Sequence, residues 1–333
     1  MKFKTLFSTL FFTTLSSALF AGFTVTDAVS DGSKPVSGGK SFSGSGSVDE
    51  LITAGGSNEY SFIRFQGTNI NFDSDQDLKT TATKVSLGTS LYSFKIENAT
   101  TTLNFTGKGA LNLANSSSGG GMYISQATTM NFEKGCGGLQ VGKIAVADTN
   151  FSVFNINEKN AIYSNTKSDP ILCLVGKAVR FNLTADQAFS MDLRHNSTVN
   201  LSATAGSNLI FSDVSLISLQ SNGNDPVSKI NFLEDFEGAV LIDTDSLTSF
   251  DVENKQVVVN EGSKNCILNF TAGSGFDWDS ITWTEDFMYE GNSYLRIGVA
   301  VPEPAEWAMV FGGIALGLAI YRRRKKFFQK ILT

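Results

Sequence analysis

The chain has 333 residues, 41% hydrophobic and only 17% charged, which supplies enough apolar material for a core and rules out disorder by composition. Pro is rare (5) while Gly (31) and Phe (27) are plentiful, as in strands joined by turns rather than charge-paired helices. The net charge of −6 hides an asymmetry. Setting aside eight basic and two acidic residues at the two ends leaves 18 basic against 30 acidic ones, so the centre argues against nucleic acid or anionic lipid as its partner.

The N-terminus reads Met1-Lys2-Phe3-Lys4, followed by an apolar stretch from Leu6 to Phe20 diluted only by Ser and Thr, then Ala21-Gly22. A short basic start, an apolar centre and small residues behind it predict a secretory signal peptide over 1–21, with cleavage after Ala18 or Ala21. Residues 22–60, rich in Ser and Gly, read as a leader or N-terminal cap.

From 61 to 300 one tripeptide recurs: an apolar residue, Asn, and another apolar residue. Its central residues are Asn71, Asn104, Asn131, Asn155, Asn182, Asn200, Asn231 and Asn269, at steps of 33, 27, 24, 27, 18, 31 and 38. On a strand the flanking residues share one face and Asn points the other way. Most copies run into a glycine turn, as at Gly107 and Gly109, Gly135 to Gly138, Gly206, Gly238, Gly273 and Gly275. A second short apolar strand then often starts, as in Leu111-Asn112-Leu113 and Leu209-Ile210-Phe211. The pattern predicts an all-β, repetitive right-handed β-helix or β-solenoid, whose units stack because none buries its apolar face alone. A β-sandwich is the alternative. A solenoid would need its N-terminal edge capped.

Residues suited to chemistry are few. His195 is the one histidine; it would carry any Ser-His-Asp triad alone, and a turn or surface role is expected. Cys136, Cys173 and Cys266 lie far apart with no Cys-x-x-Cys. Their odd number leaves at least one free thiol or an intermolecular bond in an exported chain. Asp73, Asp75 and Asp77 carry the alternate carboxylates of a calcium loop. Leu78 stands where such a loop needs Gly, and Lys84 where it needs Glu. That leaves a surface Ca²⁺ site or a solvated turn, and no EF-hand. Asn98, Asn104, Asn115, Asn182, Asn196 and Asn269 fit Asn-x-Ser/Thr, which strand and turn chemistry already explains.

At the C-terminus, 301–333, Val301-Pro302-Glu303-Pro304-Ala305-Glu306-Trp307-Ala308 leads into an apolar run from Met309 to Tyr321, and Arg322-Arg323-Arg324-Lys325-Lys326 follows at once. The 17 residues from Ala305 to Tyr321 span about 25 Å as a helix. Against a hydrocarbon core of about 30 Å, they predict a short transmembrane helix that relies on local thinning or snorkelling. The basic cluster would hold its end in the cytoplasm, leaving what precedes it outside.

A Pro-Glu-Pro triplet, a short apolar helix and an Arg-rich end together resemble the PEP-CTERM sorting signal of exported bacterial proteins. That resemblance covers about 32 residues of the 333. It implies that Pro302, Glu303 and Pro304 are recognised by an exosortase-like membrane peptidase, that the helix stops in the membrane, and that Arg322, Arg323, Arg324, Lys325 and Lys326 anchor it. The chain would then be cleaved near the triplet and passed to the cell surface or extracellular matrix.

The resulting expectation is a non-enzymatic structural or adhesive protein of the cell envelope, held by the membrane before processing. It would use no cofactor, bind no nucleic acid, and meet exopolysaccharide or other surface proteins. The alternative is a secreted β-helix protein that binds or degrades polysaccharide.

Overall fold

The computed structural model describes residues 22–29, 35–48, 50–51, 59–60, 62–80, 86–87, 90–91, 94–97, 99–113, 121–147, 151–164, 171–175, 177–188, 190–194, 197–211, 228–261, 264–300 and six positions between 314 and 321. The protein is all-β, organised as three stacked ladders that share one core. In the first ladder lie the strands Phe62–Phe72, Thr101–Phe105, Thr128–Phe132, Ser152–Ile156, Ala178–Leu183, Thr198–Ala203, Lys229–Phe232 and Lys264–Ala272. Each pairs in parallel with the next. Every one carries a copy of the Asn tripeptide.

A second parallel ladder starts from the N-terminal half of Phe62–Phe72. It continues through Phe94–Ile96, Gly121–Ile124, Lys143–Val146, Leu172–Val175 and Met191–Arg194. The third runs through Glu59–Tyr60, Leu78–Thr80, Leu111–Asn112, Leu139–Gln140 and Ile162–Tyr163. Gln187–Ala188, Asn208–Phe211 and Ala239–Asp243 form a separate parallel stretch. Gln187, fully buried, joins the two stretches: its amide accepts from the Ile162 N–H (3.1 Å) and donates to the Ile162 carbonyl (2.8 Å). One side chain thus supplies both bonds that a neighbouring strand's backbone would have made.

All sixteen apolar residues flanking the eight asparagines, from Ile70 and Phe72 to Leu268 and Phe270, are at most 2% exposed. Repetition puts like on like. Phe72, Phe105 and Phe132 stack with centroids 4.8 and 4.4 Å apart and rings within 11° of parallel, a geometry worth about 0.5–1.5 kcal/mol per pair beyond burial. At the bends between the first two ladders, Thr101, Thr128 and Ser152 turn inward and are buried. The Thr128 hydroxyl donates to the Gln126 carbonyl at 2.9 Å, which removes the cost of burying it.

The uneven spacing of the tripeptides has a simple cause. Asn71, Asn104, Asn131, Asn155 and Asn182 pair directly with one another, so those steps equal the length of a turn of chain. Asn182 instead pairs with Ser202, and Asn231 with Thr271. The short step of 18 and the step of 38 are both two residues less than the structural turn. A shift of two preserves the face, so the core is untouched. Glycine is required where successive turns stack: a Cβ on Gly109 would collide with the carbonyl of Gln76, and one on Gly137 with that of Lys108.

Both ends switch to antiparallel pairing. At the N-terminal end, Thr24–Val29 lies antiparallel on Pro35–Ser47, which itself pairs in parallel with Phe62–Phe72. The segment 22–60 therefore supplies a ladder strand as well as an edge. At the other end, Leu247–Asp251, Gln256–Glu261 and Lys264–Ala272 form an antiparallel meander. The hairpin Ile281–Tyr289/Asn292–Val299 adds to Ala239–Asp243. Its first strand breaks register between Thr284 and Phe287, where Asp286 takes φ 52°. Beyond the break, Phe287 and Tyr289 pack on a small outer cluster of Ile210, Ala239, Leu241 and Tyr294.

Candidate functional site: the asparagine ladder and the C-terminal exit

The polar positions of the first ladder form two runs of linked side chains, one from Asn71 to Asn182 and one from Asn200 to Thr271. Asn104 donates to Asn71 (2.8 Å) and Asn69 (3.1 Å), Asn131 to Asn104 (2.7 Å), Asn155 to Asn131 (2.6 Å), and Asn182 to Asn155 (2.6 Å). The run is interrupted where the register shifts by two: Arg180 Nε donates to Asn182 Oδ1 at 2.7 Å, while Asn200, the residue paired with Arg180, donates its side-chain amide to the Val179 carbonyl at 3.3 Å. Asn231 then donates to Asn200 (2.9 Å), and the Thr271 hydroxyl to Asn231 (3.0 Å). These amides are half-buried, Asn71 and Asn69 exposed.

An amide carries two N–H donors and an oxygen with two lone pairs. A ladder member such as Asn131 spends one N–H and one lone pair on its neighbours, leaving one of each. With strands about 4.8 Å apart, the asparagines are neutral, regularly spaced donors and acceptors, with the cations of Arg180 and Lys229 on the same face. Such a face can hydrogen-bond a polar surface. Its amides do not titrate near neutral pH, so they supply no general acid or base.

Ionic contacts among the described residues fall in small clusters. Arg64 meets Glu97 at 2.6 Å, with Lys95 on the same carboxylate. A second cluster ties the C-terminal hairpin to the body. The Asp186 carboxylate accepts from the Asn208 backbone N–H (2.8 Å) and side-chain amide (2.9 Å). It also accepts from the Tyr289 hydroxyl, and Lys159 pairs with Glu290 beside it. Burial, then the Asp186 carboxylate, pushes the Tyr289 hydroxyl well above the ordinary tyrosine range.

The sequence-predicted sites fare differently. Asp73 and Asp75 are exposed, while Asp77 accepts from the Ala110 N–H at 2.9 Å and so caps the turn of the next unit. Among the described residues no group of three or more His, Cys, Asp or Glu is arranged to hold a metal ion, so the three carboxylates do not converge. Cys136 is buried and free, its thiol pushed up chiefly by burial. Cys173 and Cys266 sit in strands, their side chains outside the described set, and His195 is outside it altogether.

Pro302, Glu303 and Pro304, and Arg322, Arg323, Arg324, Lys325 and Lys326, lie outside the described residues. Among the described residues no helix is long and apolar enough to cross a membrane. Positions 314–316, 318, 320 and 321 are helical, and Ile314, Leu316, Leu318, Ile320 and Tyr321 are 47–65% exposed.

Sequence reasoning located the asparagines but missed Arg180 and Thr271, which hydrogen-bond to them, and Gln187 at the end of the third ladder. None of the three follows the repeat. No protein-family model, curated protein or solved structure matches the chain.

Proposed function

We propose that the chain is an exported, non-enzymatic β-solenoid of the right-handed β-helix type, delivered to the cell surface or extracellular matrix as a structural or adhesive element. The carrying observation is the unbroken parallel ladder of like-on-like units with an amide row along its polar side. Parallel pairing of each strand with the copy one repeat later is the habit of a solenoid, whereas a sandwich pairs antiparallel neighbours. The neutral amide row suits a polar, hydroxyl-rich surface such as exopolysaccharide, or another surface protein, better than a charged polymer.

Delivery rests on the two ends. The first 21 residues act as a signal peptide, and the tail holds the chain in the membrane until an exosortase-like peptidase acts near Pro302-Glu303-Pro304. Exposed apolar side chains on the helical positions of the tail support this, since such a surface needs an apolar surrounding.

The test is intact mass and fractionation of the protein from its native host, beside a variant with Pro302, Glu303 and Pro304 replaced by alanine. Loss of the tail and departure from the inner membrane in the native chain only is the expected outcome. Retention of the tail in the same membrane by both would end the sorting reading. Incubation of the ectodomain with acidic and neutral polysaccharides tests the rest: binding without new reducing ends is expected, and reducing-end release would establish an enzyme instead.

A further inference from the structure

The outward side of the first ladder is a double row of polar positions. Asn71, Asn104, Asn131, Asn155 and Asn182 make one row, paired strand by strand. The positions two residues earlier, Asn69, Thr102, Thr129 and Val153, make the second in the same register. Arg180, Asn200, Asn231 and Thr271 continue it. At about 4.8 Å per strand and about 6.6 Å between alternate residues, the eight strands give a face about 34 Å long and about 13 Å wide.

This face is bare of acid. Among its described positions no carboxylate occurs, although the centre of the chain carries 30 acidic residues against 18 basic ones. Its cations are Arg180, which lies 3.8 Å from the Asp235 carboxylate, and Lys229 at the margin. Chains with a net negative charge repel one another. Here two of them can approach without setting carboxylate against carboxylate, and depletion of charge is what marks the centre of a protein interface.

The amides also run one way. Asn104 donates to Asn71, Asn131 to Asn104, Asn155 to Asn131 and Asn182 to Asn155; beyond the interruption, Asn231 donates to Asn200. Every bond goes from a later turn to an earlier one, so the side-chain dipoles add along the stack. A second copy, turned about a two-fold axis normal to the face, lays its own row antiparallel to the first, and the opposed dipoles attract. Its spacing matches along the whole length, because it is the same ladder. The N–H and lone pair that Asn131 and Asn155 leave unspent then meet groups of the same kind. The ladder already fixes these amides, so little side-chain freedom is lost on contact.

We propose that this face is self-complementary and that two copies of the chain pair through it about a two-fold axis. The proposal rests on the solenoid reading above, makes the surface partner of that reading a second copy, and is independent of export and sorting. Covering about 450 Å² a side by the dimensions above, the contact lies at the weak end of specific interfaces. Free chains therefore pair weakly, and chains held side by side at one surface pair through their high effective concentration.

The experiment uses the chain as its native host delivers it, purified in mild detergent and followed by sedimentation over a concentration series. Two charged variants carry Thr129→Glu with Val153→Glu, or Thr129→Lys with Val153→Lys, near the middle of the face and outside the amide run. Native chain is expected to dimerise at about 0.1 mM. Each charged chain alone should pair about tenfold more weakly, since like charges meet across the interface, and an equimolar mixture of the two should recover pairing. A native chain still monomeric at about 1 mM, the effective concentration of tethered partners, overturns the proposal. So does a native dimer that both charged chains form equally well, and so does weakened pairing that the mixture fails to restore. Hydrogen exchange at Phe105 and Ile156 separates this from the reading beneath it. Slow exchange in all chains shows the ladder intact, so that a failure to pair sinks the dimer alone. Fast exchange at both amides in the native chain means that the solenoid reading has failed, and the dimer with it.

Discussion

The parallel body and the C-terminal cap solve the same problem, burying apolar strand faces, by opposite means. In the body each unit is supported by near-identical neighbours, so Phe72, Phe105 and Phe132 stack within 11° of parallel. In the cap nothing repeats. Trp283 meets Phe250 and Phe270, Phe276 meets Trp278 edge-on, and the hairpin folds back to reach Asp186 through Tyr289. Stability in the body is distributed along the ladder, because each parallel strand is held by the strands on either side of it. In the cap it rests on antiparallel pairings that do not repeat and on single side-chain contacts, one of which, Tyr289 to Asp186, joins residues 103 apart in the chain. Loss of one large body side chain should therefore destabilise strongly and propagate to both neighbours, while loss of a cap contact should remain local.

The largest effect expected is in the body. Phe105→Ala removes the middle ring of the stack and should cost about 3–5 kcal/mol. Thermal and denaturant melts of the ectodomain, with hydrogen exchange at Leu103, Met130 and Phe132, check it. A cost under about 1 kcal/mol would mean that the stack collapses around the cavity and that repetition confers less rigidity than the geometry implies.

Next comes the point where the third ladder changes from one parallel stretch to the next. Gln187→Leu keeps volume but leaves the Ile162 N–H and carbonyl without the partners they have at 3.1 and 2.8 Å. Two buried backbone groups lose their bonds at about 1–3 kcal/mol each. Burial of the leucine's apolar surface offsets part of that sum, so the expected loss is about 2–4 kcal/mol, with exchange accelerated first at Ile162. Gln187→Glu keeps the acceptor but sets a buried carboxylate against the Ile162 carbonyl, so near neutral pH it should cost at least as much as the leucine.

How far the sequence foretold this division depends on the period. In the body, an apolar-Asn-apolar tripeptide marks an inward face without ambiguity, because strand side chains alternate with a period of two. All sixteen flanking positions are buried as that rule requires. The drift between copies could not be resolved into two exact shifts, since a two-residue slip leaves the hydrophobic pattern unchanged. The inward Thr101, Thr128 and Ser152 were hidden for a related reason: a hydroxyl at a bend looks like surface until its carbonyl partner is known. The cap was less legible still, since its strands pair by hairpin geometry and carry no repeat. The Asp73, Asp75 and Asp77 alternation suggested a cation, but Asp77 serves the Ala110 N–H instead. In a stack of turns, the nearest unsatisfied donor is the next turn's backbone.

The amide ladder should be the modest term. Asn131→Ala breaks two side-chain bonds, to Asn104 and Asn155, at half-buried positions where water replaces them. About 1 kcal/mol is expected. If the row is also the polar face that meets a ligand, the same variant should weaken polysaccharide retention by more than its small stability loss explains. Equal retention by native and variant ectodomain would confine the ladder to a structural role.

The smallest effect, and the one that separates cap from body most cleanly, is at the hairpin tip. Tyr289→Phe deletes only the hydroxyl that donates to Asp186, and the site is partly exposed, so the melting temperature near neutral pH should barely move. Its pH dependence should change. The Tyr289 hydroxyl titrates above its ordinary value because of burial and the Asp186 carboxylate, so above about pH 10 the folded state keeps a proton that the unfolded chain has lost. The stabilisation is whole below that pH and is lost as pH rises toward the folded value. Tyr163 and Tyr294 are raised in the same direction, so the variant should flatten the alkaline fall in stability without abolishing it. Exchange at the Asn208 amide, which shares the Asp186 carboxylate, should quicken while amides of Phe105 and Phe132 stay protected. Quickening across all three ladders would mean that the cap and body unfold as one unit, and the contrast between repetition and single contacts would fail.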